Sequence, residues 1–335
     1  MQLMEPDMRS DDENILAEGS PRPMVSVCCI TYNQAPYIAK ALEGFQMQRT
    51  TFPYEVIVHD DASTDGTREI LARYASKHPD LIFPIFQNEN QYSRNVPISA
   101  EFVFKRARGK YIALCEGDDY WTDQEKLQWQ VDFLEANPTI AMCTHEVIRN
   151  IDTGNDVRSL RRKLGVLHRY ASLFGPLRAG NVLLRSLIGR ARIESFDLTC
   201  RDKKRKENGA TYGLEDFSDG KPHMSLCSMV LRKSVIDEYI GAFYTTPGAG
   251  HQSLLLMSAI AGGVAHFHKV SAVKNDQPTS VTQSPEHLAL GRQRASRPET
   301  NEKLRRYQYF VDRVDREQRM IFERMIAAER ERMGF

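Results

Sequence analysis

The sequence predicts an α/β chain with a doubly wound, mostly parallel sheet, helices on both faces and a helical extension at its C-terminus. Three observations carry that reading. Short apolar runs alternate with helix-period segments from residue 25 to residue 143, the pattern of a parallel sheet with helical crossovers. Three of these runs end in polar, acid-rich turns, which such a sheet gathers along the carboxyl edge of its strands. The last of the three is Lys110-Tyr111-Ile112-Ala113-Leu114-Cys115 followed by Glu116-Gly117-Asp118-Asp119-Tyr120-Trp121. That apolar run is too short for a helix and reads as a buried strand. Three carboxylates that close together repel one another unless a cation or hydrogen-bond donors hold them. Hard oxygen ligands of this kind suit Mg²⁺ or Mn²⁺.

The elements follow in order. Residues 1–23 are polar and acidic and close on Pro21-Arg22-Pro23, the composition of a disordered leader. Val25-Ser26-Val27-Cys28-Cys29-Ile30 is the first strand and ends in Thr31-Tyr32-Asn33. Pro36 then suits the first turn of a helix with Ile38, Leu42 and Phe45 on one face. A second strand at 54–59 leads into Asp60-Asp61-Ala62-Ser63-Thr64-Asp65-Gly66-Thr67 and a helix carrying Ile70, Leu71 and Tyr74. A third strand at 81–86 ends at Asn88-Glu89-Asn90-Gln91, and residues 97–107 read as helical. The fourth strand is the acidic stretch itself. Thr122-Asp123-Gln124-Glu125 matches a capping box opening a helix with Leu127, Val131 and Leu134. Residues 140–143 make a fifth strand.

Length and composition bound what this sheet can belong to. With 335 residues and a formal net charge of +1, one large domain with an appendage fits. A hydrophobic share of 41% supplies a sizeable core, and a charged share of 27% is ordinary for a folded chain. Global charge gives no pull toward a polyanion, and no RNA- or DNA-binding motif accompanies the local basic runs, so nucleic acid is not an expected partner. The cysteines are Cys28, Cys29, Cys115, Cys143, Cys200 and Cys227, and none forms a CxxC pair. They read as reduced core residues of a cytosolic chain. No signal-peptide core opens the sequence and no apolar run reaches ~18 residues, so the expected location is cytoplasmic, without a membrane span.

Neither GxGxxG nor GxxxxGK[ST] occurs, which counts against a dinucleotide dehydrogenase and a P-loop NTPase. A diphosphate here would be held by a metal and by side chains. At this point the residues carry a resemblance. Val25-Ser26-Val27 through Thr31-Tyr32-Asn33, then Asp60-Asp61-Ala62-Ser63-Thr64-Asp65-Gly66-Thr67, then Glu116-Gly117-Asp118-Asp119-Tyr120-Trp121, in that order and spacing, resemble family 2 glycosyltransferases of the GT-A fold, over about residues 24–150. The resemblance implies transfer of a sugar from a nucleotide-sugar, a UDP-sugar before a GDP-sugar, to an acceptor hydroxyl in one inverting displacement. It implies that the Thr31, Tyr32 and Asn33 turn and Asp61 hold the base, that Asp118 holds ribose or phosphate, and that Asp119 holds Mn²⁺ or Mg²⁺. It also sets Asn88 and Arg94 near the base and the diphosphate. Acceptors in the family are often polysaccharides or lipid-linked saccharides, in keeping with cell-surface polysaccharide assembly. The division that follows is a leader at 1–23, a nucleotide-sugar-binding half at 24–150, an acceptor half with a basic insertion at 151–280, and a helical extension at 281–335.

The chemistry fits independently. Asp61 can accept from an imide N–H, which a uracil-like or guanine-like edge presents. Asp119 can ligate a divalent ion that bridges two phosphates and neutralises the leaving group. Arg94 adds a bidentate phosphate donor; the plainer reading is a surface charge for Arg94 and a turn residue for Asn88.

Between Asp156 and Lys206 there are 14 Lys and Arg against 4 Asp and Glu. This stretch is either a solvated face or a surface for an anionic membrane or an acceptor pyrophosphate, which would make the chain peripheral at the inner face of a membrane. Leu226-Cys227-Ser228-Met229-Val230-Leu231-Arg232-Lys233-Ser234 returns to a strand pattern followed by a helix. Gly250-His251-Gln252 opens an apolar helix closed by Gly262-Gly263, and residues 264–272 read as a strand. His223, His251, His266 and His268 lack the spacing of a zinc site. Residues 299–332 form a charged helix with Leu304, Tyr307, Val311, Val314, Ile321, Met325 and Ala328 in a heptad and Gln318 at one seam position. Such a helix packs on its own domain or forms a homodimer seam.

Inverting transfer needs a group that takes the acceptor proton. Relatives place an Asp after a Gly at the start of the helix that follows the acceptor-side strand, and this chain has Gly250-His251 there. His251 is the candidate base, with an unperturbed pKa near ~6.5 that suits neutral pH. Glu215, Asp216 and Asp219 are alternatives, and a chain that binds donor without transferring is a third possibility. Downstream, Val273-Lys274-Asn275-Asp276 stands where relatives commonly have an Arg and a His. A sugar nucleotidyltransferase would need a glycine-rich, basic loop after the first strand, and Thr31-Tyr32-Asn33-Gln34 offers none.

Overall fold

The computed structural model describes residues 22–151, 191–194, 208–217, 224–242, 250–276 and 301–334. The leader apart from its last two residues, nearly all of the basic stretch, Cys200, Asp219 and His223 lie outside the described residues.

β1 (Val25–Thr31), β2 (Tyr54–Asp60), β3 (Ile82–Phe86), β4 (Tyr111–Leu114), β5 (Tyr120–Trp121), β6 (Met142–Ile151), β7 (Ala191–Glu194), β8 (Thr211–Tyr212), β9 (Val230–Arg232) and β10 (Val264–Asp276) form one sheet. Its order is β3-β2-β1-β4-β9-β6-β10-β5, with β7 beside β6 and β8 beside β10. Parallel ladders join β3, β2, β1 and β4 and join β6 to β10. β9 lies antiparallel between β4 and β6. β1, β2, β3, β4, β6 and β10 therefore point one way, as the mostly parallel expectation has it, with β9 reversed among them and the short strands β5, β7 and β8 antiparallel to their neighbours. β9 runs backward because it enters from the 3₁₀ turn Leu226–Ser228 and passes straight into α4 (Lys233–Tyr239).

Alternation along the strands sends side chains to two cores. Val25, Val27, Cys29, Tyr111 and Ala113 pack under α1 (Ala35–Gln46), α2 (Thr67–Lys77) and α3 (Lys126–Ala136). Cys28, Ile112 and Leu114 face the π-helical turn Ser99–Phe104, α4, α5 (Gly250–Ile260), α6 (Glu302–Val311) and α7 (Arg316–Arg332). α1 begins where expected, with a proline in its first turn and Ile38, Ala41, Leu42 and Phe45 buried. Cys28, Cys29, Cys115, Cys143 and Cys227 are buried free thiols, as their apolar setting implied.

The helical reading of 97–107 holds over the shorter span Ser99–Phe104, where the helix has π-type pitch. Two local expectations need correction. The capping box at 122–125 does not form: α3 starts after Glu125, with no side-chain cap. Thr122, which would have been the cap, instead extends the β5–β10 pairing by donating its N–H to the Ser271 carbonyl at 2.9 Å, and Asp123 beside it pairs with Lys269 at 2.6 Å and accepts from Ser271 Oγ at 3.0 Å. The long C-terminal helix is two helices. Asp315 caps α7 by accepting from the Gln318 N–H at 2.9 Å, and Asn301 caps α6 by accepting from the Lys303 and Leu304 N–H groups at 3.0 Å. Leu304, Tyr307, Val311, Ile321 and Met325 are buried in the chain's own core, whereas Ala328 is exposed. Gln318 Nε2 donates to the Ile260 carbonyl at 3.2 Å. The residues proposed for a homodimer seam are thus used to dock the helices on their own domain.

Candidate functional site

The ends of β1, β2 and β4 are stitched together by backbone hydrogen bonds. The Asp61 N–H donates to the Thr31 carbonyl and the Gly117 N–H to the Ile30 carbonyl, both at 3.0 Å. Adjacent parallel strands end in register here, so turns far apart in sequence become one surface.

The first turn is latched to the second. Asn33 takes the left-handed conformation at φ 52, which Asn tolerates better than most residues. Its Oδ1 accepts from the Thr64 N–H at 2.8 Å, and its own N–H donates to Ser63 Oγ at 2.9 Å. The Gln34 and Ala35 N–H groups donate to Thr67 Oγ1 at 2.8 Å and Asp65 Oδ2 at 3.0 Å. The start of α1 is therefore capped by the neighbouring loop rather than by its own residues. Thr31 is buried and donates to Gln34 Oε1 at 2.8 Å, while Tyr32 is exposed.

Asp61 is buried, and both of its carboxylate oxygens are engaged: Oδ1 by the Gln91 N–H at 2.7 Å and Oδ2 by the Tyr92 N–H at 3.0 Å. Asn90 Nδ2 donates to the Asp61 carbonyl at 3.2 Å. Asp61 thus organises the loop after β3. Burial holds its carboxyl above the ordinary range, opposed by those two amides. The next residue, Ala62, is left-handed at φ 64, a conformation costing a non-glycine residue about 1–2 kcal/mol. Asn88 and Arg94 are exposed on the loop that Asp61 latches, and Arg94 pairs with Glu89 at 2.8 Å.

The third turn carries the charge. Glu116, Asp118 and Asp119 each offer an oxygen, and these atoms lie within 4.8 Å of one another. Gly117 permits the close approach: a Cβ there would stand 2.6 Å from Gln34 Oε1 and 2.7 Å from Thr31 Oγ1. Asp119 is buried. Its Oδ1 accepts from the Asn275 N–H at 2.8 Å, and its Oδ2 is buried with no hydrogen-bond partner. Asn275 Nδ2 also donates to the Asp118 carbonyl. Burial pushes the Asp119 carboxyl well above its usual range; Lys274 opposes this, and Asp118 and Glu116 reinforce it. An orphaned buried carboxylate oxygen beside two further carboxylates fits a hard divalent cation. The fitting ligand set is Asp119 with Asp118 and Glu116.

Lys274 and Asn275 are members of this site that the sequence marked only as a departure from the family pattern. They arrive because β10 pairs antiparallel with β5, Val273 opposite Tyr120 and Ala272 opposite Trp121. That pairing sets the next residues of β10 against the acidic turn. The available signal was the strand period: Lys274 shares a face with buried Ala272.

His251 stands half-buried in the first turn of α5, on an element separate from the three turns. Of the alternatives to it, Glu215 is exposed and paired with Arg324 at 2.5 Å, and Asp216 Oδ2 accepts from the Gly213 N–H at 2.8 Å. His266 Nδ1 lies 2.9 Å from Thr144 Oγ1. Glu116, Asp118 and Asp119 are the only metal-like grouping among the described residues.

The sequence model described as "Glycosyl transferase family 2" matches residues 26–192. The uncharacterized protein Rv1520 of Mycobacterium tuberculosis is 49% identical over 125 residues, which is 37% of this chain and 35% of that protein. The putative teichuronic acid biosynthesis glycosyltransferase TuaG of Bacillus subtilis is 33% identical over 113 residues, 34% of this chain and 42% of its own. The chain thus spans less than half the length of these curated relatives. Among solved structures, S. aureus TarS 1–349 in complex with UDP has a TM-score of 0.53 at 17% identity, covering 93% of this chain and 72% of that one. Mannosyltransferase PcManGT from Pyrobaculum calidifontis, in complex with GDP-Man and Mn²⁺, has a TM-score of 0.52 at 19% identity, covering 92% and 70%. At those identities the likeness shows the fold, which is GT-A.

Proposed function

From the chain's membership of glycosyl transferase family 2 through residues 26–192, we propose that it moves a sugar from a UDP-sugar to an acceptor hydroxyl, with a divalent ion at Asp119. The observation that carries this reading is the acidic turn, with a buried partnerless oxygen on Asp119, set beside the Thr31 and Asp61 turns. Thr31, Tyr32, Asn33 and Asp61 form the base side, Asp118 meets ribose or phosphate, and Asn88 and Arg94 border the base and diphosphate. Mn²⁺ or Mg²⁺, when bound, neutralises charge developing on the departing diphosphate. Neighbours of the same fold hold UDP or GDP-Man, and GDP-sugar is the alternative donor. A saccharide or lipid-linked acceptor in cell-surface polysaccharide assembly accords with the name of the TuaG relative. The step is an inverting displacement in which His251 takes the acceptor proton. Glu215 and Asp216 already serve Arg324 and the Gly213 N–H, which favours His251 over them. Those same engagements favour donor binding without transfer as the second reading.

The test is a screen of UDP-sugars and GDP-sugars with the full chain, with Mn²⁺ or EDTA, reading released nucleotide. Metal-dependent release of UDP from at least one donor is expected. Nucleotide binding without release from any donor would leave the second reading, and absence of binding would overturn both.

A further inference from the structure

The three-carboxylate turn is held by more than hydrogen bonds. Antiparallel pairing of β10 with β5 sets Lys274 beside the turn, anchored on either side by Val273 opposite Tyr120 and by the Asn275 N–H on Asp119 Oδ1 at 2.8 Å. Its ammonium group acts electrostatically on Asp119, Glu116 and Asp118 together, and it is half-buried in the same place. Arg94, the other cation near this edge, is exposed and paired with Glu89 at 2.8 Å. With all groups ionised, three carboxylates and one ammonium leave a net of two negative charges, which a single divalent ion cancels. An arriving diphosphate adds negative charge beyond what that ion neutralises. A cation already held at the turn has a reason to be there in both states.

We propose that Lys274 is a resident cation of the donor site: it balances Glu116, Asp118 and Asp119 while no nucleotide is bound, and shares the diphosphate with the divalent ion when the donor enters. This rests on the donor-binding reading above. It makes two demands that a lysine merely stabilising the fold does not. Nucleotide binding should persist in part without metal, because one cation is built in. Free metal should bind weakly before nucleotide arrives, because the ammonium group repels it.

The experiment uses the full chain, Lys274→Met and Lys274→Arg. UDP and GDP are titrated calorimetrically in EDTA and in excess Mn²⁺, and Mn²⁺ alone is titrated by electron paramagnetic resonance. In EDTA, Lys274→Met should bind UDP about tenfold or more weaker than wild type, and Lys274→Arg should stay within about threefold. Mn²⁺ alone should bind Lys274→Met about tenfold tighter than wild type, since a like charge has been removed. Equal UDP affinity of Lys274→Met and wild type in EDTA, or no gain in Mn²⁺ affinity, overturns the inference. If Lys274→Met does not fold, the wild type decides: UDP binding seen in Mn²⁺ and absent in EDTA overturns it, and binding in both supports it. Failure of UDP and GDP to bind wild type even with Mn²⁺ is a different result, and overturns the donor reading itself.

Discussion

Asp61→Asn exchanges one carboxylate oxygen for an amide that cannot accept. In the native chain the two oxygens take the Gln91 N–H at 2.7 Å and the Tyr92 N–H at 3.0 Å. Asn can keep one of these bonds, and its amide then faces the other donor. Loss of one charge-assisted bond costs about 1.5–3 kcal/mol. Two effects trim that figure. Tyr92 is exposed, so its N–H can turn to water, and removing a buried charge returns part of the burial penalty that raises the Asp61 carboxyl. A net loss of about 2 kcal/mol falls on the loop, equivalent to roughly thirtyfold in its opening equilibrium. Hydrogen exchange should show it directly as faster exchange at Gln91 and Tyr92 with unchanged protection in β1 and β2. UDP affinity should fall about tenfold to a hundredfold with it. Native exchange at both amides would refute the latch. Faster exchange with native UDP affinity would remove Asp61 and its loop from the nucleotide site.

Three further outcomes follow from single residues. Lys126 is fully buried over the Trp121 ring at 4.2 Å, its Nζ has no hydrogen-bond partner, and burial lowers its pKa to about 8. A lysine whose folded pKa is depressed is destabilising while charged. The penalty, about 3 kcal/mol, is fully present below pH ~8 and fades as pH rises toward ~10.5. Lys126→Met should therefore raise the urea midpoint at pH 7, with the gap to wild type closing by pH 10; an unchanged or lower midpoint at pH 7 would contradict this. Gly117→Ala puts a Cβ 2.7 Å from Thr31 Oγ1, so it should cost about 1–3 kcal/mol in urea unfolding and weaken UDP binding; native values for both would show that the turn yields freely. His251→Asn should lower the transfer rate by about 10²–10⁴ while UDP affinity survives, and full activity would remove His251 as the base.

The first half of the fold was legible because its strands are buried on both faces and read as continuous apolar runs. β1 and β2 show this, and the turns at 31–33, 60–67 and 116–119 followed from them. The reversal of β9 was not legible, since Val230-Leu231-Arg232 has the same pattern in either direction. The break between α6 and α7 had a local signal, Asp315 three residues before Gln318, the spacing of a capping box. The heptad running through it concealed that signal, because buried residues of two helices docked on one core can keep the same register. The capping box at Thr122 failed because β10, almost 150 residues later, claims that stretch: the Thr122 N–H donates to the Ser271 carbonyl, and Asp123 pairs with Lys269 and Ser271. Lys274 was visible only as a departure from the family pattern. Its place beside Asp119 depends on the pairing of β10 with β5, and the strand period shared with buried Ala272 gives its face but not that partner.

The most direct test of a metal-assisted donor site at the acidic turn is calorimetric titration of UDP in Mn²⁺ against wild type and Asp119→Asn. Asn keeps the bond from the Asn275 N–H through its Oδ1 and replaces only the partnerless Oδ2 with an amide. Thermal stability should be unchanged or slightly higher, because a buried carboxylate held well above its ordinary range has been removed. UDP affinity in Mn²⁺ should fall about tenfold or more, toward the value measured in EDTA. Equal UDP affinity of the two proteins in Mn²⁺ would contradict the account at its centre.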